Sequence, residues 1–514
     1  MAQLLKSTLV VSAWTTLSRI LGLVRDIVIA RAFGAGLEMD AFIVAFRIPN
    51  FLRRLFAEGG FSQAFVPVLA EYREKRSHEE VRALVDRTAT VLTLVLLLVS
   101  AAGAILAPLF ILVFAPGFLE QVEKRELASG MLRITFPYLL FISLTALAGG
   151  VLNTYRRFAV PAFTPVLLNL SLIGATLWLA PRFEEPVVAL AWGVFIAGVV
   201  QLLFQLPFLA SLGLLPRLRP GGDAEGVRRI LKLMVPTLFA VSVTQINLLV
   251  DTLIASFLAT GSISWLYYSD RLVEFPLGVF GIALATVIMP ALAADFARGS
   301  PESYSATLDW ALRWVFLISV PAAVGLAMLA GPALATLFEY RTFSAFDVRM
   351  AARSLLAFSL GLPAFVLIKV LSSAFFSRQD TATPVRAAVI AMVSNIVLNL
   401  AFVVPLAHAG LALATSLSAY INAGILYREL RRRGWYTAQG GWPGYLLRVA
   451  AAVAAMAAVL YLIAESPAAW SAWSAGERVL QLSLCIGAGG LCYLVMLWLC
   501  GLRPWRMTDP TARI

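Results

Sequence analysis

The chain is poor in the residues that usually make and break bonds. Its 514 residues include two histidines and three cysteines, and nowhere a Gly-Lys dipeptide or an HExxH segment. Without Gly-Lys there is no P-loop, and so no sign of a built-in ATPase; without HExxH there is no zinc-protease helix. No sizeable soluble domain is present, and the chain is not read as an enzyme. Any work must draw on substrate binding, ion gradients or membrane potential. Cys485, Cys492 and Cys500 all fall in the last apolar segment, where packing is expected rather than a disulfide or metal set. His78 and His408 lie in loops far apart in the chain and read as solvated polar residues. Lysine is scarce as well, at five of the 41 basic residues.

What the chain has in excess is apolar length. Hydrophobic residues make up 60% of it and the mean hydropathy is +0.84, against about 45–50% apolar in soluble chains. Runs such as TVLTLVLLLVSAAGAILAPLFILVF and LLRVAAAVAAMAAVLYLIA are long enough to cross a bilayer as helices. The sequence predicts an all-α polytopic membrane protein with about fourteen transmembrane helices. They are expected near residues 8–33, 40–70, 86–114, 131–152, 160–181, 186–212, 228–258, 263–294, 308–338, 350–376, 384–406, 409–430, 443–465 and 478–501. The first is not read as a cleaved signal peptide, because Arg19 breaks it and no small-residue cleavage site follows. The Asn-Leu-Ser sequon at Asn169 falls inside a span and is discounted.

Basic residues concentrate in one alternate set of loops, including REKRSHEEVR, PRLRPGGDAEGVRRILK, SRQDTATPVR and RELRRRG. The other set, GAGLEMD, APRFEEP and PLAHAG, holds few. The positive-inside rule puts the first set, and both termini, in the cytoplasm. The net charge of +12 is mostly this bias, so it does not argue for nucleic acid.

The chain also repeats itself weakly. At an offset of 225, VRDIVIARAFGAG matches LVDTLIASFLATG, pairing Asp26 with Asp251, Ala30 with Ala255 and Gly36 with Gly261. After a one-residue gap FRIPNF (46–51) matches DRLVEF (270–275), pairing Arg47 with Arg271. A looser echo links NTYRRFAVP (153–161) to FFSRQDTATP (375–384). A six-span duplication followed by two added spans is expected, and transporters built from repeats bind substrate near the midplane.

Charges inside the spans carry the functional signal. The first two spans hold Arg19, Arg25, Asp26, Arg47, Arg53, Arg54 and Glu58, and the eighth holds Asp270, Arg271 and Glu274. A central charge costs roughly 2.5–3.5 kcal/mol on the insertion scale, so such groups should face protein or a wet cavity. Local pairing accounts for part of the set. Arg54 and Glu58 are four apart, Arg271 and Glu274 three apart, and Asp26 is nearly two turns from Arg19. Arg31 is placed to snorkel and Asp40 to cap the second span. An excess of arginine remains among residues 19, 25, 47, 53 and 271, and it calls for an anionic partner from outside the chain. Arginine's planar fork binds phosphate or carboxylate bidentately and stays charged when buried. The residues thus point to a transporter for a phosphate-bearing, lipid-linked substrate. Pro49, Pro276 and Gly278 interrupt helices beside these charges, as ordinary kinks or as broken transport helices. Trp265, Tyr267, Tyr268, Trp435 and Tyr436 read as interface anchors.

The run SRILGLVRDIVIARAFGAGLEMDAFIVAFRIPNFLRRLFAEGGFSQAFVPVLAEY (18–72) resembles the MurJ (MviN) family of lipid II flippases, in the multidrug/oligosaccharidyl-lipid/polysaccharide exporter superfamily. The resemblance continues through ITFPYLLFISLTALAGGVLNTYRRFAVPAF, SWLYYSDRLVEFPLGVFGIALATVIMP and FFSRQDTATPV and covers nearly the whole chain. It implies a multi-pass protein of the bacterial inner membrane that moves lipid II, the undecaprenyl-diphosphate-linked peptidoglycan precursor, to the periplasmic leaflet. Two six-helix lobes, residues 1–215 and 216–435, would form a V around a cationic cavity, with 436–514 adding a groove for the lipid tail. Family cavity positions carry over as Arg19, Arg25, Arg53 and Arg271, with Asp26, Asp40 and Glu58 as supporting acids. Some relatives bind sodium, and Asp251, Asn395, Asn399 and Thr415 occupy comparable places, although Asn399 stands where a second acid would be expected. The alternative for that set is a hydrogen-bonded cluster between helices. No other cofactor is expected. Lipid II, membrane lipids and cell-wall or division proteins are the expected partners of a functional monomer. Rival readings are a flippase for another undecaprenyl-linked glycan, a drug–cation antiporter of the same superfamily, and a non-transporting scaffold. An antiporter would want acidic cavity walls, and intramembrane arginines argue against a scaffold alone.

Overall fold

Helix is the structure these apolar runs must form, because hydrocarbon offers no water to an open backbone N–H or C=O. The computed structural model describes the backbone of residues 2–218 and 224–503, without the side chains of 2–9, 56–59, 236, 237, 239–244 and 282. Among the described residues there is helix and turn but no strand. Among the described residues ten helical stretches are long and apolar enough to cross a membrane by length and composition. The chain falls into two compact units, Met1–Ser264 and Trp265–Ile514.

The first unit is built from α1 (Ala2–Phe33), α2 (Leu37–Arg53), α3 (Ser62–Lys75), α4 (His78–Ile105), α5 (Ala107–Phe114), α6 (Val122–Thr135), α7 (Tyr138–Thr154), α8 (Ala159–Gly174), α9 (Val188–Ala210) and α10 (Ala224–Ser256). A π-helical stretch, Arg54–Phe61, joins α2 to α3. Helix α1 packs on α8, α7 on α9, and α2 on α6. Helix α10 lies beyond the expected repeat boundary at 215, yet it packs within this unit against α3, α4 and the π stretch. Close approach rests on small residues. A Cβ on Gly198 of α9 would come 2.8 Å from Tyr138 of α7.

The second unit begins inside α11 (Ser262–Pro276), whose first turn belongs to the first unit, and continues with α12 (Ile282–Ala297), α13 (Pro301–Met328), α14 (Ala330–Phe338), α15 (Ala345–Phe376), α16 (Ala382–Arg432), α17 (Trp442–Ile463), α18 (Pro467–Ala472) and α19 (Ala475–Leu499). Helix α15 is its centre and packs on α12, α13, α14 and α16. Its Gly361 faces Ser416 of α16, whose Oγ would lie 2.5 Å from an added Cβ. Helices α17 and α19 pack on each other and on α13 through Tyr445, Val449, Met456, Cys485, Tyr493 and Leu497. The Tyr445 and Tyr493 hydroxyls donate to the Arg313 and Leu317 carbonyls at 2.5 and 2.7 Å. Cys485 is buried and free, a packing residue as its setting implied.

Two local features recur in both halves of the sequence. A π stretch, Leu277–Gly281, follows Pro276 and joins α11 to α12, as Arg54–Phe61 joins α2 to α3; another, Ala175–Leu179, follows α8. Likewise Arg156 (φ 60) and Gln379 (φ 61) are left-handed, each five residues before a proline, Pro161 and Pro384, in the echoed turns. Few non-glycine residues adopt that conformation.

Buried charges are tied by hydrogen bonds rather than left to hydrocarbon. Asp309 of α13 accepts at Oδ1 from Tyr436 (2.7 Å), Trp442 (2.8 Å) and the Gln439 N–H (3.1 Å), and at Oδ2 from Arg313 (2.8 Å). Arg313 also donates to the Gly440 carbonyl at 2.8 Å and lies over the Trp442 ring. At the start of α19, Arg478 donates to the carbonyls of Ala335, Glu339, Ser471 and Trp473.

The structure differs from expectation at His408, in the PLAHAG segment and at three of the aromatic anchors. His408 is not solvated. Helix α16 is broken at one residue only, Ala407 (φ 49, ψ −132), so the expected PLAHAG loop shrinks to a kink. His408 is 4% exposed, with Nε2 2.9 Å from the Met350 carbonyl and its ring against Trp265. Trp265, Tyr268 and Tyr436 are buried rather than interfacial, because each finds a protein neighbour. Trp265 donates to Asp347 at 2.9 Å, Tyr268 packs against Phe338 and Phe343, and Tyr436 donates to Asp309. The boundary between α15 and α16 is fixed by Asp380, which accepts from the Thr383 N–H and hydroxyl and from Arg433. Burial alone would raise its pKa, but these hydrogen bonds outweigh it and hold the carboxyl below the usual aspartate range.

Asp309→Ala leaves Arg313 buried without its carboxylate and should cost about 3–5 kcal/mol, read as a lower thermal midpoint of the solubilised protein. For Asp380 the folded pKa is the depressed one. Its stabilisation is therefore full above the ordinary aspartate range and is lost as pH falls through the folded value. Asp380→Asn should flatten the acid limb of the pH–stability curve in that window, and an unchanged limb would exclude the role.

Candidate functional site

Three of the intramembrane arginines of the first unit, Arg25, Arg47 and Arg53, are oriented by a neighbour. Helix α1 turns Arg25 and Asp26 inward, at 8% and 2% exposed, while Arg19 is exposed. Arg25 donates from Nε and Nη2 to Asp26 Oδ1 at 2.9 and 2.7 Å, and from Nη1 to Asn169 Oδ1 of α8 at 3.0 Å. The Asn169 amide donates in turn to the Ser18 carbonyl at 2.9 Å. The sequon is thus committed to helix packing. The carboxylate expected to neutralise Arg19 is bound to Arg25 instead. Adjacent residues on a helix do not face each other, but the arginine stem is long enough to fold back.

Helix α2 carries the next set. Arg47 donates to the Thr252 hydroxyl of α10, which donates to the Leu248 carbonyl at 2.7 Å. Arg53, partly exposed, donates from Nε and Nη2 to its own helix's Asn50 Oδ1 at 2.9 and 2.8 Å. The side chain of Glu58 lies outside the described residues, so the expected pairing with Arg54 is not described.

Asp40 differs from its expected role as a cap of its own helix. Both it and Lys124 of α6 are 1% exposed, and Lys124 Nζ is 2.9 Å from Asp40 Oδ2. Asp40 also accepts from the Gly261 N–H (2.8 Å), the Ser264 N–H (2.9 Å) and the Ser264 hydroxyl (2.6 Å). It therefore caps the first turn of a different helix, while Lys124 balances its charge and lies over the Phe118 ring. Lys124 was missed from sequence because it stands in a polar run, QVEKREL. The signal that would have found it is Asp40 itself, a buried carboxylate in need of a cation.

In the second unit Arg271 and Glu274 form the expected pair at 2.6 Å, and the guanidinium lies over the Tyr267 ring. Both partners remain partly exposed. Asn395, Asn399 and Thr415 lie together on α16. The Asn399 amide donates to Asn395 Oδ1 at 2.9 Å, and the Asn395 amide to Thr415 Oγ1 at 3.3 Å. Both asparagines are fully buried. Asp251 lies on α10 of the first unit. Among the described residues no group of three or more His, Cys, Asp or Glu side chains is placed to hold a metal.

Charged side chains held inside apolar helices of spanning length define a polytopic membrane protein. Its fold is like that of an inward-facing multidrug resistance MATE family transporter of the MOP superfamily, which aligns with a TM-score of 0.66 at 16% identity, over 83% of this chain and 98% of its own. A solved structure described as lipid II flippase MurJ, inward closed conformation, aligns with a TM-score of 0.77 at 27% identity, over 96% and 98% of the two chains. The family model for lipid II flippase MurJ matches residues 29–482. A probable lipid II flippase MurJ of Vibrio cholerae is 49% identical, covering 98% of this chain and 97% of its own, and the lipid II flippase MurJ of Burkholderia cenocepacia is 43% identical over 97% and 98%. The chain belongs to the MurJ family of lipid II flippases.

Lys124→Met strands Asp40 in an apolar interior and should lower stability by about 3–5 kcal/mol. The double change Asp40→Asn with Lys124→Met should cost less than Lys124→Met alone, because no unpaired charge is left. Equal thermal midpoints for the single and double variants would refute the pairing.

Proposed function

We propose that this protein carries lipid II from the cytoplasmic to the periplasmic leaflet of the bacterial inner membrane. The reading rests on one observation above all: guanidiniums oriented within spans of a chain akin to lipid II flippases over its full length. A diphosphate is the anion that suits planar, permanently charged forks. The proposed topology has fourteen crossings with both termini cytoplasmic. Its two six-helix lobes, residues 1–215 and 216–435, would alternate access to the two leaflets, and residues 436–514 would accommodate the lipid tail. Arg53 and Arg271, partly exposed and held by Asn50 and Glu274, serve as the primary phosphate donors. Arg25, already matched by Asp26, holds the inner wall, and Arg19 meets the head group on entry. Asp26, Asp40 and Glu58 are supporting acids, and Asp40 acts through the Lys124 knot.

The membrane potential, negative inside, favours exit of a net-anionic complex by about 2.3 kcal/mol per charge per 100 mV. Asn395, Asn399 and Thr415 serve as hydrogen-bonded helix glue. The alternative is a sodium site completed by Asp251. Transport that tracks external sodium and loses that dependence in Asp251→Asn would favour the ion. The unit of function is a monomer, with cell-wall synthesis proteins as its neighbours in the pathway.

The deciding measurement is a leaflet assay in cells depleted of their own flippase and expressing this chain. A periplasmic enzyme that cuts only outward-facing lipid II should release product with the wild type. Release should fall at least about tenfold with Arg53→Ala or Arg271→Ala at equal membrane abundance. No release from well-expressed wild type would shift the substrate to another lipid-linked glycan.

A further inference from the structure

Two further arginines stand apart from the set above. Helices α5 and α6, with the turn between them, enclose an open groove of about 670 Å³. Leu109, Leu112 and Leu119 form one wall, and Arg125, Ser129 and Arg133 form the other. The last three recur every four residues along α6 and so share a face, with the arginines about 12 Å apart along the axis. Glu126 is the one carboxylate in the lining, giving two cations against one anion. The Arg125 and Arg133 side chains make no hydrogen bond or ion pair among the described residues.

The surroundings are apolar and exposed, as a lipid-facing surface would be. Ile105 and Val113, beside the apolar wall, are 76% and 53% exposed. Helices α6 and α7 together make one candidate span, Val122–Thr154. Its apolar part is the α7 side, since α6 opens on the charged run VEKREL. Arg133 therefore stands at the edge of the apolar layer, where the phosphates of the bilayer begin. An exposed guanidinium at that level is placed to meet an anion carried by a lipid. A soluble anion has no use for the leucine wall, and a zwitterionic head group leaves the surplus positive charge unanswered.

We propose that this groove is a binding site for an anionic diacyl phospholipid. The lipid comes from the leaflet at the 115–121 end of the span. Its phosphate lies between Arg125 and Arg133, and an acyl chain lies along Leu109 and Leu112. The site is distinct from the one proposed for the transported lipid.

Native mass spectrometry of the full-length protein, loaded with phosphatidylglycerol or phosphatidylcholine of matched chains, tests it. Wild type should retain phosphatidylglycerol about tenfold better. Arg125→Gln with Arg133→Gln should bring the two lipids to near equality, while Arg133→Lys should keep most of the preference. Glu126→Gln, a surface change that leaves folding intact, should raise it. Equal retention of both lipids by wild type, or a preference indifferent to all of these substitutions, overturns the site. So does retention through these arginines of a polyprenyl diphosphate but not of phosphatidylglycerol.

Discussion

The cost of a charge without water governs this molecule. An ion left alone in an apolar interior costs more than a fold can spare, so each buried one must be met by protein groups. Asp40 is met by Lys124 and three donors, Asp309 by Arg313 and three donors, and Arg478 by four carbonyls. These knots join helices that apolar packing alone would let slide, since lipid tails are as apolar as leucine. Each also sets a terminus. Asp40 closes the start of one helix, and Asp309 gathers the segment that leads into α17.

The same constraint sorts the arginines by how deeply they are buried. Arg25 and Arg313 are buried and matched to carboxylates within their own helices. Arg53 and Arg271 are also held, by Asn50 and by Glu274 of their own helices, but they remain partly exposed. A buried matched pair holds shape, whereas a partly exposed guanidinium can exchange one partner for another.

Much of the architecture was legible in the sequence, because apolar runs of spanning length admit few structures other than helix. The Arg271–Glu274 pair was legible for a local reason: three residues along a helix places two side chains side by side. What stayed hidden was tertiary. Nothing in QVEKREL announces that Lys124 turns inward to Asp40, 84 residues away. Asn169 matters because α8 packs on α1, which no local pattern encodes. Tyr268 and Tyr436 have the amphipathic shape of interface anchors and use it inside the protein instead. His408 was misplaced because Pro405 and Gly410 look like a loop, although a single residue makes the bend.

The π stretches change how a helical wheel should be drawn here. A π turn holds an extra residue, so side chains beyond it are rotated by roughly 100° relative to an uninterrupted α-helix. Residues 37–75 are therefore two wheels with different phases, one ending at Arg53 and one beginning at Ser62. On the second wheel Phe65, Val68, Leu69 and Tyr72 form one stripe that faces the core. On the first, burial runs unbroken from Met39 to Ala45, so the two wheels differ in width as well as in phase.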